Sequence, residues 1–284
     1  MKKQCFLFLW VFLPQLLLGQ GSMDVLASLS SGINEVLIEY EGTPRRLIVT
    51  TPKNYKRKYV YPSLFCFHGA GGKADGMIRR WGAQANKRNM IVISLEAVQP
   101  EAKWNFKDNF HSYNYKDVEF VSDVVKKLIN KKVIDSKAIY ATGHSSGGLF
   151  CYRLAKETSF FAAIAPMSCG MAKNAHEPNK QTQSISMMQV IGDQDKSYHG
   201  SVKKRISMYS LEERVKIWRN FNQCFSEPLF EKRGKEIEIV TYTNDVGIEV
   251  AFCEVKGEGH HIKRDLRNIT DSIAIEFLLK HRKK

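Results

Sequence analysis

The sequence predicts an α/β protein with a mainly parallel central sheet, helices on both faces and an antiparallel hairpin ahead of it. Three observations carry this. From residue 61 onward, short apolar and β-branched runs alternate with stretches of helical periodicity, the pattern of crossover units. The strand-like runs are apolar throughout, as strands covered on both faces must be. Glycine-rich and charged clusters stand directly after several runs, where the carboxyl ends of parallel strands collect ligands.

Met1-Lys2-Lys3 is a basic start, residues 5–18 are apolar apart from Gln15, and Gly19-Gln20-Gly21-Ser22 supplies small residues. This predicts a secretory signal peptide over residues 1–20, cleaved near 19–22. A single domain over 21–284 then follows, secreted or periplasmic, with no stable membrane association after cleavage. Residues 35–40 and 45–51 flank Glu41-Gly42-Thr43-Pro44 and read as the hairpin. The strand at 61–67 stops at His68-Gly69-Ala70-Gly71-Gly72, a loop whose N–H groups can approach a ligand closely. A helix over 75–87 and a strand over 90–95 come next. Residues 96–115 lack periodicity and predict a surface loop, in which Trp104 either packs onto the body or faces a substrate.

Val118, Val121, Val125 and Leu128 recur at helical spacing within 117–131. The strand at 138–142 precedes a helix over 149–155. A strand over 161–167, a polar loop over 169–186 and a strand over 187–191 follow, the last ending in Gly192-Asp193-Gln194-Asp195. Residues 211–221 read as helix, and 237–243 and 250–255 as strands, the latter followed by Gly257-Glu258-Gly259-His260-His261. Thr270 is the expected cap of a last helix reaching about residue 281.

The net charge of +14 favours acidic partners, yet the charges are scattered and no aromatic-interleaved basic stripe appears. Nucleic acid is therefore not an expected partner. The cluster Lys203-Lys204-Arg205 is expected near the rim of a site after the strand at 187–191, favouring an anionic substrate, or else to point into solvent. No C-x-x-C or H-E-x-x-H spacing suggests a metal, and no cofactor is implied. Five cysteines lie beyond the leader: Cys66, Cys151, Cys169, Cys224 and Cys253. In an exported protein some should pair, while the odd count leaves at least one free; Cys66, inside a predicted strand, reads as a buried thiol.

Gly143-His144-Ser145-Ser146-Gly147 fits G-x-S-x-G between a strand and a helix. A sharp turn there projects the Ser145 hydroxyl clear of the sheet and leaves the Ser146 N–H at a helix start. The plainer alternative is a glycine-rich turn without chemistry. Asp195 and His260 also follow strands, giving the order Ser, Asp, His of the α/β-hydrolases. In that arrangement His260 takes the Ser145 proton and Asp195 fixes the imidazole tautomer. Asp193, read as a turn former, and His261 are the rival positions. The Ala70 N–H, with that of Ser146, is the expected oxyanion hole. His68, Trp104, His144 and Tyr198 are the candidate substrate contacts, with His68 and His144 also readable as loop supports.

The ordered set Phe67-His-Gly-Ala-Gly-Gly72, Trp81-Gly-Ala83, Trp104-Asn105, Asp117-Val-Glu-Phe-Val121, Tyr140 through Gly148, Phe161 through Pro166, Gly192 through Asp195, Trp218 through Cys224 and Gly257 through His260 resembles one family. It is similar to the secreted α/β-hydrolases of the polyhydroxybutyrate depolymerase-like and feruloyl esterase-like group, related to carbohydrate esterase family one. The resemblance implies an α/β-hydrolase fold over 21–284 with Ser145, Asp195 and His260 at the triad positions. It implies a serine esterase that forms an acyl-enzyme from an ester substrate, either a feruloyl or acetyl ester on polysaccharide or a hydroxyalkanoate-type ester. It also implies that Cys224 and Cys253 pair in a disulfide. The basic loop over 196–205 departs from the family and leaves the substrate open. A catalytically silent fold serving as a binding protein, and a serine peptidase, are the alternatives.

Overall fold

A computed structural model describes residues 23–99, 101–109, 115–202 and 206–284, together with the backbone of 15–18. Its centre is a set of parallel strands within an eleven-stranded sheet. In spatial order they are β5 (Ile91–Leu95), β4 (Tyr61–Phe67), β6 (Ile134–His144), β7 (Ala163–Met167), β9 (Ser186–Gly192) and β13 (Glu249–Val255). Every residue of β5, β7 and β9 is buried, because helices cover both faces. Helices α1 (Ala74–Lys87) and α5 (Arg264–Lys280) lie on one face; α2 (Asp117–Asn130), α3 (Ser146–Glu157) and α4 (Leu211–Asn222) lie on the other. Successive strand residues feed opposite layers. Leu64 packs with Trp81 and Phe277, while Phe65 packs with Phe120, Phe150 and Trp218.

At one end the hairpin β2 (Gly32–Tyr40) and β3 (Thr43–Thr51) pairs antiparallel with β5. Its loop is only Glu41-Gly42, both at positive φ (48° and 72°), a two-residue turn whose twist suits the flanking strands. Thr43 and Pro44, expected in the turn, therefore belong to β3. A strand β1 (Gln15–Leu18), inside the expected leader, pairs in parallel with β2. The rest of that leader, with its expected cleavage stretch 19–22, lies outside the described residues.

At the other end β12 (Ile237–Thr243) pairs with β13 and with an edge strand, β11 (Leu229–Arg233), that the sequence does not announce. All five β11 residues are exposed, so no inward face marks it. A short pair, β8 (Met171–Ala172) and β10 (Met208–Tyr209), sits over the α4 side. The last helix begins six residues before the expected cap. Thr270 is interior and buried, its hydroxyl donating to the Arg267 carbonyl. The first turns of α5 carry only Leu266 and the exposed Ile269 among charged and polar residues, which hides that start.

The expected Cys224–Cys253 disulfide is absent: all five described cysteines are free and buried. Cys224 lies in the α4-side layer, and its thiol donates to the Ile248 carbonyl (3.3 Å). Cys253 points from β13 into the opposite layer with Ile239 and Val190. The sheet itself stands between the two sulfurs.

Candidate active site

Only Ser145 separates β6 from α3. It holds φ 57° and ψ −117°, a conformation that non-glycine residues avoid and that tertiary contacts must hold. The Ser145 N–H donates to the Met167 carbonyl (3.0 Å), and its own carbonyl accepts from Gly148 (3.0 Å) and Leu149 (3.1 Å). Glycines allow the close packing this requires. A Cβ on Gly143 would stand 2.3 Å from the Gly147 carbonyl oxygen, and one on Gly147 would stand 2.1 Å from that of Phe67. No side chain fits either place.

A second close approach brings the acid loop and the histidine loop together. A Cβ on Gly192 would lie 2.0 Å from the Glu258 carbonyl oxygen, and the Gln194 N–H donates to that same oxygen (2.9 Å). The exits of β9 and β13 are thus pressed backbone to backbone. His260 Nδ1 lies 2.9 Å from Asp195 Oδ2, and His260 Nε2 lies 3.0 Å from Ser145 Oγ. A carboxylate only accepts, so Nδ1 carries the proton and Nε2 is left to accept from the serine hydroxyl. The Asp195 side chain is 2% exposed and that of His260 40%. Burial works to raise the Asp195 pKa, but hydrogen bonds from His260 and the Ser197 N–H outweigh it and hold the carboxyl below its ordinary value.

The rival positions do other things. Asp193 accepts the Gly257 N–H (2.8 Å) and fastens the two loops. His261 is exposed and stacks on His144, with centroids 5.4 Å apart. Ala70 is exposed on the loop after β4, which runs against the elbow: a Cβ on Gly69 would lie 3.4 Å from Ser145 Cβ. The Gly71 and Gly72 N–H groups are engaged by Ala102 and Gly69 carbonyls. The Ser146 N–H, first in α3, has no intrahelical acceptor.

The four expected substrate contacts fare differently. His68 is a correction only in part: it lines the cavity beside the elbow together with His144, but it offers a substrate no free ring nitrogen. It is buried with both nitrogens used, Nδ1–H donating to Gly69 (2.7 Å) and Nε2 accepting from the Ala97 N–H (3.0 Å). Burial pushes its pKa down, which keeps it neutral. Trp104 is a second correction: fully buried, it stacks on Phe150 (5.0 Å), and its indole N–H donates to the His68 carbonyl (2.9 Å). Together they form a scaffold beneath the glycine loop. Tyr198 is a third. Its hydroxyl donates to Glu254, and it lines a groove of about 890 Å³ between α4 and β11–β13 that includes none of Ser145, Asp195 and His260. His144 lines the same cavity as His68, of about 250 Å³, beside the elbow; its lining includes the neighbours of Ser145 and His260 but not the triad itself. Its Nε2–H also donates to the His260 carbonyl (3.1 Å), and burial pushes its pKa down to about 4. Residues 203–205, the expected basic rim, lie outside the described residues.

One tie has no sequence signal of its own. Asp117 reads as an ordinary first-turn helix carboxylate. In the fold it is buried, paired with Arg45 (2.7 Å), and accepts the Asn105 N–H (2.7 Å), pinning the loop that holds Trp104. Only its burial sets it apart.

No family model matches the chain. It is 26% identical over 233 residues to feruloyl esterase B of Piromyces equi, covering 76% of this chain and 42% of that protein. It is 22% identical over 266 residues to a bifunctional acetylxylan esterase/xylanase of Neocallimastix patriciarum, covering 90% of this chain and 37% of that protein. The chain thus spans about two fifths of the length of these curated relatives. Among solved structures it is similar to the acetyl xylan esterase from Aspergillus awamori, with a TM-score of 0.61, 14% identity, 85% of this chain and 99% of that chain covered. A thermostable esterase gives a TM-score of 0.58 at 16% identity, over 88% of this chain and 63% of that chain. The fold is that of the α/β-hydrolases.

Proposed function

We propose that this α/β-hydrolase, whose relatives are feruloyl and acetylxylan esterases, is an exported serine esterase that cleaves acyl groups from polysaccharide-type esters. Ser145 Oγ attacks the acyl carbon as His260 Nε2 takes its proton, and Asp195 holds the imidazole and stabilises the imidazolium. The tetrahedral oxyanion is met by the N–H groups of Ala70 and Ser146, each such donor being worth roughly 10²–10³ in kcat. His260 returns the proton to the departing alcohol, leaving an acyl group on Ser145. Water, activated by the same imidazole, then releases the acid. The observation that carries this reading is the unbroken chain of contacts from Ser145 through His260 to Asp195, at 3.0 and 2.9 Å.

Export rests on the composition of residues 1–22. Among the described residues no helix is long and apolar enough to cross a membrane. The test is Ser145→Ala, assayed against feruloyl, acetyl and hydroxybutyrate esters beside fluorophosphonate labelling. Loss of hydrolysis together with loss of label is expected. Surviving activity, or a label on another serine, overturns the assignment, and a folded wild-type chain that takes no label supports a silent binding protein instead.

A further inference from the structure

The cavity beside the elbow is walled on the triad side by the stacked rings of His144 and His261, each one residue from a member of the triad, and by Gly69. Its charged lining is cationic: Lys73, Arg80 and Arg267, with no aspartate or glutamate among the described residues that line it. The carboxylates nearby are already engaged elsewhere. Asp271 is held by Arg80 Nε and Nη2 (2.8 and 2.6 Å), Glu258 by Lys263 (3.1 Å), and Asp75 and Glu96 by Arg46 (2.8 and 2.9 Å). Arg80 is thereby neutralised. Lys73 and Arg267 form no ion pair with any described residue, so they are the lining cations left without a paired carboxylate. The larger groove beside α4 differs: its three cations Lys216, Arg219 and Lys232 stand against four glutamates, Glu212, Glu231, Glu238 and Glu254, so it does not favour an anion.

We infer that the small cavity is a subsite for a carboxylate carried by the ester substrate, received by Lys73 and Arg267; this rests on the reading of Ser145 as the nucleophile. The guanidinium offers a planar fork that matches a carboxylate, and the ammonium adds a compact point charge. Lys73 is exposed and Arg267 half-buried, so salt screens their attraction for an anion. An anionic group held there sits beside the elbow and fixes the orientation of the scissile ester. Two sources share this chemistry: a free carboxyl on the acyl part, or a uronic acid in the alcohol part.

Paired substrates separate them. 4-Nitrophenyl hemisuccinate is compared with its methyl ester, and an O-acetylated glucuronic acid with the corresponding glucose ester. Each pair is run on the wild-type chain and on Lys73→Gln, Arg267→Gln and the double variant. The anionic-to-neutral ratio of kcat/KM is expected to fall at least tenfold in the double variant for one pair, through KM, and that pair names the side. In the wild type the same ratio falls as salt rises. A ratio unchanged within twofold in both pairs overturns the inference, as does an equal loss for both members. Calorimetry on Ser145→Ala with succinate and glucuronate reads the subsite without turnover. Binding of one, lost when Lys73→Gln and Arg267→Gln are added, supports it; binding of neither overturns it. Hydrolysis persisting in Ser145→Ala condemns the nucleophile assignment and leaves this binding result standing.

Discussion

His68 and His260 occupy similar ground. Each stands past the carboxyl end of a parallel strand, β4 and β13, and each uses both ring nitrogens. The partners differ in kind. His68 is bonded to a carbonyl and an amide N–H of the main chain, which neither take up nor release a proton at any ordinary pH. His260 is bonded to a carboxylate that holds its Nδ1–H and to a hydroxyl whose proton its Nε2 can take, and its ring is reached by solvent. Place at the strand ends makes a histidine available to a site; the chemistry of its two partners decides whether it supports or reacts. Trp104 follows the same rule, since its N–H is consumed by the His68 carbonyl.

The comparison breaks or sharpens first on paired substitutions. His260→Ala should lower kcat on any accepted ester by about 10⁴–10⁶-fold while the urea midpoint stays put. His68→Ala should do the reverse. It leaves a cavity and an unpaired Ala97 N–H, destabilising the fold by about 3 kcal/mol while the folded enzyme keeps kcat within about tenfold. Equal activity losses in two folded variants would erase the distinction.

A smaller effect is expected in acid. Burial pushes His144 and His176 from an ordinary value of 6.5 down to about 4. Between those values the unfolded chain binds more protons than the folded one. Stability present above pH 6.5 is therefore lost as pH falls toward 4, by at most about 1.4 kcal/mol per pH unit for each ring. Urea unfolding at pH 7, 5.5 and 4.5 reads the slope, and His176→Gln should make it shallower. A flat profile would mean that the folded and unfolded chains bind protons equally and that burial does not depress these rings.

The smallest effect concerns the thiols. Reductant should leave the Tm unchanged, and alkylation of the denatured, unreduced chain should label all five described cysteines. A Cys224–Cys253 adduct recovered by non-reducing peptide mapping would contradict the separation of the two core layers.

What the sequence conveys and what it hides divide along physical lines. Glycine clusters after apolar runs point to the loops at Ser145, Asp195 and His260, because close backbone packing and strand exits leave local marks. The roles of His68 and Trp104 leave none, since they depend on Ala97 and Phe150, which only folding brings near. Resemblance supplies the cysteine pairing, yet alternation along β13 turns Cys253 away from Cys224. The strand β11 carries no inward residues and gives no period to detect. Thr270 looks like a cap because the preceding turns of α5 are mostly charged or polar, with only Leu266 and Ile269 apolar.

The joint at Gly192 and Glu258 has a consequence for how such a chain diversifies. Acid and base arrive from neighbouring strands whose exits are clamped main chain to main chain, while the excursion between them runs out through α4 to the exposed edge strand β11 and back through β12. Drift, lengthening or replacement in the outer part of that excursion meets the reactive pair only at a base that is already locked. The fold thus keeps its chemistry and an exposed edge strand on the same stretch of chain but under separate mechanical control, so a change in the outer strand is insulated from the reactive pair.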